Sequence, residues 1–302
     1  MQTFRFLAVC SFAAAAHGVH AQSVPTFAGD AQHTAIYQPA AQDLNQIRWS
    51  TAIDLAPDAN VFVHYGAPLL TGANTAIAPI KNGSAFSINA FTASNGAPLY
   101  SLATDYILPS HNWVPVYQPV VATSSSGTRL YYPTAGGTVS YIDNINTGGV
   151  KTPVRLAFYG LANYQANISG FNSKVFVNTP ITADASGNIF FGFRVEGTAP
   201  APLSTAQSGI ARIDPAGNAT YVLAGTAAGD AAITRDSHNS APAISTDGST
   251  VYVPVKAAST EYYGYLLGLN STRSPPGTKS CSKTRATGTT RASWTTAPRL
   301  PR

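Results

Sequence analysis

Apolar and polar residues alternate in short runs along this chain, and turn residues separate the runs. Residues 240–254 show the pattern most clearly, with an apolar pair at Ala243-Ile244, the turn pair Asp247-Gly248, and a second alternating run at residues 251–254. Strict alternation predicts a half-buried strand, and Asp-Gly between two such runs predicts a tight hairpin turn. This stretch therefore predicts a β-hairpin.

The same unit occurs three more times upstream. Each copy starts with a proline, continues with an apolar pair, passes a glycine and enters a second strand. The anchor prolines are 51, 61 and 62 residues apart, above the about 40–50 residues of common propeller blades. The excess fits loops inserted between strands. The anchors are Pro68, Pro119, Pro180 and Pro242.

A further alternating strand follows each hairpin, and turn residues follow most of these strands. One such unit cannot bury both faces of its sheet, so the units must pack against each other. We therefore expect an all-β chain that forms a β-propeller of four-stranded antiparallel blades, incomplete, with about four to five blades present. The additional strands are expected at residues 84–91, 138–143, 209–214 and 265–270.

Residues 84–100, which end in Asn-Gly-Ala-Pro-Leu-Tyr, resemble the repeat of the PQQ-like (quinoprotein alcohol dehydrogenase-like) β-propellers. Residues 29–34, followed by Ile47-Arg48-Trp49, resemble the opening segment of such domains, and the resemblance covers residues 27–272. It implies a propeller fold and, for active members, a dehydrogenase with PQQ and calcium. The family's cofactor ligands, Asp base, Trp beneath the quinone ring and adjacent cysteine pair match no residue of this chain.

Residues 1–21 have the features of a signal peptide. Arg5 precedes an apolar run at residues 6–16, and Val19-His20-Ala21 places small residues before a cleavage site at Gln22. We therefore expect an exported protein, periplasmic or extracellular. A lipoprotein anchored at Cys10 is the alternative. No later segment approaches the about 20 apolar residues of a membrane span.

The positive formal charge of +5 is misleading, because seven of the 18 basic residues lie at or after Arg273. Without these and Arg5, ten basic residues face 13 acidic ones, so the body of the chain is negative. This balance argues against a nucleic-acid partner. The cysteines are Cys10 and Cys281, so residues 22–272 contain no disulfide framework.

The alternation stops after Thr272, and residues 273–302 form a basic, low-complexity tail. One interpretation is a disordered segment. The other is a frameshift, because back-translation from Ser274 with a shifted frame allows a strand, a turn and then Thr-Ala-Ser-Pro. That tetrapeptide is close to the anchor Ser240-Ala241-Pro242. The frameshift predicts that the intact protein contains further blades.

Histidines near the anchors are the main site candidates. His64 and His238 each lie four residues before an anchor proline, and Ser-His-Asn occurs at both 110–112 and 237–239. Equivalent positions in successive blades surround one axis, so these imidazoles could converge at the mouth of the channel. They would bind a polar or anionic ligand, or a metal ion held by His64, His111 and His238. The alternative is that each imidazole caps a loop. The candidate ligand-binding residues are His64, His111, Asn112, Arg129, His238 and Asn239.

Other polar and aromatic residues have simpler explanations. Loop residues Asp105, Arg235 and Asp236 could include a general base, although solvated turn carboxylates are commoner. Aromatic residues near the second anchor could stack on a ring, but packing between blades also explains them. These aromatic residues are Trp113, Tyr117, Tyr131 and Tyr132, and the expected turn formers are Asp143, Asp214 and Asn270.

The sequence contains no hydrolase elbow, zinc-protease helix or phosphate-binding loop. The leading prediction is therefore an exported, non-catalytic binding or scaffold propeller with its ligand at the channel mouth. The expected partner is a small molecule or a cell-envelope protein, and the chain is expected to be monomeric. The alternatives are a PQQ- and calcium-dependent oxidoreductase and a metal-dependent hydrolase or lyase.

Overall fold

A computed structural model describes residues 23–37, 45–56, 66–110, 116–257 and 263–271. These residues form four separate antiparallel sheets, which we number as blades in chain order. Each blade follows the sequence repeat from its inner strand outward. Blade 1 contains β1 (Leu69–Leu70), β2 (Thr75–Asn82), β3 (Ala85–Thr92) and β4 (Pro98–Thr104), and blade 2 contains β5 (Val120–Ser124), β6 (Gly127–Pro133), β7 (Val139–Ile142) and β8 (Val154–Leu156).

The inner strands of blades 3 and 4 are interrupted, so two short strands pair with the same neighbour. Blade 3 contains β9 (Val175–Val177), β10 (Thr182–Ala183), β11 (Ile189–Val195), β12 (Gly209–Ile213) and β13 (Ala219–Leu223). Blade 4 contains β14 (Ile233–Asp236), β15 (Ala243–Ile244), β16 (Thr250–Ala257) and β17 (Gly264–Asn270). The four sheets confirm the predicted all-β propeller with four-stranded antiparallel blades.

Each anchor proline lies just before an inner strand, and a hairpin follows it. The left-handed position of these hairpins is held by Gly127, Gly187 and Gly248, which all have positive φ. In blade 1 the residue at this position is Asn74, with φ of 63°. Asparagine tolerates this conformation better than most residues, so the turn does not need Gly72.

Along the described ranges, three short helices and one 3₁₀ turn interrupt the strand pattern. They are α1 (Leu161–Ala166), α2 (Ile168–Asn172), α3 (Ala224–Ala228) and the turn Ala135–Gly137. Such short helices give no helical period for sequence analysis to detect. Within the described residues, no helix is long and apolar enough to span a membrane.

A hydrophobic cluster fills each seam between successive blades, and we name the seams 1–2, 2–3 and 3–4. Neighbouring residues of one strand contribute to different seams. Tyr132 packs in seam 1–2 and Tyr131 packs in seam 2–3, since successive side chains of a strand point to opposite faces. Neighbouring apolar residues of one strand therefore supply side chains to both faces of a blade that packs between two others.

Candidate functional site

Residues 23–34 contact the inner strands of all four blades, and we call them the axial segment. Val24 forms two backbone hydrogen bonds with Leu70 of blade 1, at 2.7 and 3.0 Å. The Val121 amide of blade 2 donates to the Pro25 carbonyl at 2.7 Å. The axial segment thus pairs with blades 1 and 2 through adjacent residues.

The same segment continues to blades 3 and 4. The Thr26 hydroxyl donates to the Ile181 carbonyl of blade 3 at 3.3 Å, and Thr26 is buried. The Ile244 amide of blade 4 donates to the Ala31 carbonyl at 2.8 Å. Four units that are distant in sequence therefore share one central peptide.

His33 of the axial segment bridges blades 3 and 4. Its Nδ1 lies 2.7 Å from the Phe27 carbonyl. Its Nε2 lies 2.9 Å from the Pro242 carbonyl and 3.1 Å from Thr182 Oγ1. The imidazole thus fixes the turn of the axial segment against two inner strands, a role that the sequence does not assign to it.

The axial segment pairs with the inner strands close to the anchor prolines. Its backbone partners Leu70, Val121 and Ile244 each lie two residues after an anchor proline. The interruptions of the inner strands, residues 178–181 and 237–242, adjoin these contacts, since the Thr26 hydroxyl donates to the Ile181 carbonyl and His33 Nε2 lies 2.9 Å from the Pro242 carbonyl. Polar side chains of these interruptions therefore form the candidate site.

His238 and Asn239 lie in the interruption of blade 4. The Asn239 amide donates to the Asn178 carbonyl at 3.0 Å, which joins the interruptions of blades 3 and 4. Burial lowers the pKa of His238 below its ordinary value, and the positive charges of Lys256 and Arg194 lower it further. His238 is therefore a neutral imidazole at neutral pH in cationic surroundings.

Asp236 lies beside this site and is fully buried between blades 3 and 4. Asn178 Nδ2 donates to both of its carboxyl oxygens at 3.0 Å. Burial raises the pKa of Asp236 to about 7, although the Asn178 hydrogen bond and the charges of Arg194 and Arg235 act in the opposite direction. Much of its negative charge is therefore absent near neutral pH, because burial outweighs the attractive interactions.

Three basic side chains act on this site, and we call them the basic cluster: Arg194 acts on both His238 and Asp236, Lys256 acts on His238, and Arg235 acts on Asp236. Arg194 pairs with Glu196 at 2.9 Å, and Arg235 Nη1 donates to the Val195 carbonyl at 3.3 Å. Lys256 is exposed to solvent. Because burial reduces the negative charge of Asp236, one of the two nearby carboxyls, positive charge predominates, and this favours an anionic group.

The structure tests the predicted site residues unevenly. His64, His111 and Asn112 lie outside the described residues, so their convergence with His238 stays a prediction. Arg129 lies beside the β5–β6 hairpin, whereas His238 and Asn239 lie within the interrupted inner strand of blade 4. His238 and Asn239, which are neighbours in sequence, thus lie in blade 4, and Arg129 lies in blade 2.

Arg129 links blades 2 and 3 through well-defined contacts. Its Nε donates to Asp143 Oδ1 at 3.0 Å, and its Nη1 donates to the Pro215 carbonyl at 2.6 Å. Its guanidinium lies 4.1 Å from the centre of the Tyr141 ring. These contacts give Arg129 a role in blade packing, and ligand binding by Arg129 stays a prediction.

The remaining candidates have structural partners. Asp105 forms an ion pair with Arg155 at 2.6 Å, and Asp214 accepts the Asn218 amide at 2.8 Å, which confirms Asp214 as a turn former. Tyr117, Tyr131 and Tyr132 are buried in the seams, in agreement with the packing interpretation, and Trp113 lies outside the described residues.

Sequence analysis misses several residues of the site. Asn178, Arg194 and Lys256 show no motif, since two of them are single charges within alternating strands. The available signal for Asn178 is its position two residues before the anchor Pro180. The burial of Asp236 has no local signal, because it depends on the approach of another blade.

Metal ligation receives no support from the part of the chain that the structure describes. There, no group of three or more His, Cys, Asp or Glu side chains is placed to hold a metal ion. A three-histidine site or a calcium site would need residues outside these ranges, and His64 and His111 are such residues. PQQ and calcium binding stays a prediction.

Comparisons with known proteins add little. No family model and no curated protein matches the chain. Among solved structures, it is similar to the α-L-arabinanase of Cellvibrio cellulosa, with 10% identity, a TM-score of 0.31, and coverage of 65% of this chain and 69% of that chain. It is also similar to the Cps50 (Swd1) β-propeller domain of Myceliophteria thermophila, with 10% identity, a TM-score of 0.23, and coverage of 67% and 70%. These values are too low to bear on function.

Proposed function

We propose that this protein is an exported, non-catalytic binding propeller that takes an anionic group at the channel end lined by His238 and Asn239. The observation that carries this proposal is the basic cluster around a neutral imidazole, beside a carboxyl whose pKa is about 7. Such a site provides positive charge and the polar imidazole of His238 in a partly desolvated environment. Export rests on the predicted signal peptide at residues 1–21.

The contacts of the axial segment support binding at the interruption of blade 4. The axial segment uses backbone groups of Leu70, Val121 and Ile244, so those groups are not offered to a ligand. Asn239 is exposed in the interruption of blade 4, and Lys256 is exposed near the end of β16. A ligand that approaches there meets cationic groups first, and charged hydrogen bonds are about twice as strong as neutral ones.

An NMR titration of the histidine ring nitrogens tests this proposal, with inorganic phosphate and citrate as probes. We expect saturable shifts of the His238 resonances and an increase in the pKa of His238, since a bound anion favours imidazolium. Lys256→Gln should weaken binding by about tenfold, equivalent to about 1.4 kcal/mol.

The matched control is Lys151→Gln, which removes a lysine that donates to the Asn144 carbonyl in blade 2, away from the site. It should leave the titration unchanged. An anion site here is contradicted if the His238 resonances do not shift at millimolar phosphate and citrate. It is also contradicted if the two lysine variants change these shifts equally.

A further inference from the structure

One face of blade 4 is exposed and mostly apolar, with the charged Lys256 near its end. The register of β16 and β17 places Tyr252, Pro254 and Leu266 on this face, because Pro254 is paired with Leu266. Tyr252 is 41% exposed and Leu266 is 63% exposed. The other face of β16 carries valines that are buried in seam 3–4. The blade thus has the two-sided apolar pattern of a sheet that packs on both faces.

The equivalent position in the other blades is buried by the next blade. Tyr252 is paired with Ala243 of the inner strand, just as Ile77 is paired with Leu69, Tyr131 with Val120, and Phe190 with Thr182. The exposed fractions at these positions are 0% for Ile77, 1% for Tyr131, 3% for Phe190 and 41% for Tyr252. The same structural position is thus buried in each preceding blade and exposed in blade 4.

The outer edge of blade 4 differs in the same way. In blades 1, 2 and 3 a fourth strand pairs with the third, namely β4, β8 and β13. Within the described residues, no strand pairs with the outer edge of β17. A strand edge that no described strand covers, beside an exposed apolar face, is a site for further sheet pairing.

We propose that this face of blade 4 is an interblade surface, covered by a further antiparallel sheet of the same repeat that follows β17 in a shifted reading frame. The shifted frame after Ser274 allows first a strand, which would pair with β17, and then Thr-Ala-Ser-Pro, which would anchor the next blade. The strand would cover the outer edge of β17, and the blade that follows would cover the exposed face of blade 4, so the order of the two elements matches these two features. The occupant is therefore a sheet with an aliphatic face toward Tyr252 and Leu266.

The experiment starts by sequencing the coding DNA for residues 265–302 and beyond the present stop. Both the chain in its present frame and the frame-restored chain are then expressed, each with and without Leu266→Asp. In the frame-restored chain the substitution should lower the melting temperature by at least about 5 °C, because it buries an unpaired charge. In the present frame it should leave the melting temperature unchanged and reduce aggregation.

Val150→Asp is the control, because Val150 is 100% exposed and should tolerate the charge in both chains. If the frame-restored Leu266→Asp chain does not fold, Leu266→Ala replaces it, with a smaller loss expected in that chain alone. DNA that confirms the present frame, or equal tolerance of Leu266→Asp in both chains, would overturn the proposal. A dimer of the present chain that Leu266→Asp dissociates would also overturn it, since a second copy would then be the occupant.

Discussion

Seam 2–3 and seam 3–4 both use blade 3, yet they are built from different chemistry. In seam 2–3, Phe158 stacks on Phe193 with ring centres 4.4 Å apart, and Tyr159 stacks on Phe171 at 4.1 Å. Seam 3–4 is formed mainly by aliphatic side chains, together with Phe190, and includes the buried carboxyl of Asp236. Equivalent surfaces of one repeat are therefore stabilised with or without a buried carboxyl, and only the second seam should respond to pH between about 4 and 8.

The largest effect is expected in the aromatic seam. Phe193→Ala removes a fully buried ring that contacts Phe158, and it should reduce the free energy of unfolding by about 3–5 kcal/mol. Because the described residues place no acid with a shifted pKa at this contact, the loss should be equal at pH 5 and pH 8. Urea unfolding at the two pH values measures it, and a loss that differs by more than the fitting error would contradict the contrast between the seams.

Asp236→Asn tests the polar seam. The pKa of Asp236 is raised from 3.8 to about 7 in the folded protein, so the native state binds more protons between these values than the unfolded chain does. Its contribution to stability is therefore fully present below about pH 4 and is lost as pH rises toward 7, by up to about 4 kcal/mol. The amide that replaces the carboxyl cannot ionise, so the variant should gain stability over the wild type as pH increases.

Two features make this comparison specific. The pKa of His238 is lowered, so its contribution to stability has the opposite sign and is lost as pH falls. Because His238 is present in both wild type and Asp236→Asn, this contribution largely cancels when the two are compared. Asp214→Asn is the control, because the pKa of Asp214 is lowered overall, although its partial burial acts to raise it. The free energy of unfolding of both proteins is measured by urea unfolding from pH 4 to 8. If it changes equally with pH in wild type and Asp236→Asn, Asp236 is not the titrating group.

A smaller effect is expected for Gly192→Ala in the same seam. An added Cβ would lie 2.6 Å from Asp236 Oδ2 and from Thr179 Cγ2, so the polar cluster must move. We expect a loss of about 1–3 kcal/mol and a reduced pH dependence. Thermal unfolding measures the loss. Gly72→Ala is the matched control, because nothing lies within 4 Å of its added Cβ, and it should leave the free energy of unfolding nearly unchanged. Equal losses for the two variants would contradict tight packing around Asp236.

The strands were predictable where the information is local. The expected strand at residues 209–214 is β12 at Gly209–Ile213, and the expected strand at residues 265–270 is β17 at Gly264–Asn270. In both cases alternation and nearby turn residues determine the element. The hairpin at Asp247-Gly248 was predictable for the same reason.

The axial segment and the polar seam were not predictable, because both depend on distant contacts. Val24-Pro25-Thr26 shows no alternation, and the partners of the axial segment lie in four blades along the chain. Asp236 is the last residue of β14 and has the sequence context of an ordinary turn carboxylate, and the approach of Asn178 and Gly192 from blade 3 buries it. Sequence analysis therefore finds the repeat but not the chemistry at the centre of the repeats.

Hydrogen exchange of three backbone amides tests most directly the claim that one peptide holds the four blades together. Val24, Pro25 and Ala31 of the axial segment accept from the amides of Leu70, Val121 and Ile244. We predict that these amides exchange slowly in the full chain and that His33→Ala accelerates the exchange of Ile244 most, since His33 contacts blade 4. Exchange of all three amides at the rate of unprotected peptide groups would contradict the axial position of residues 23–34.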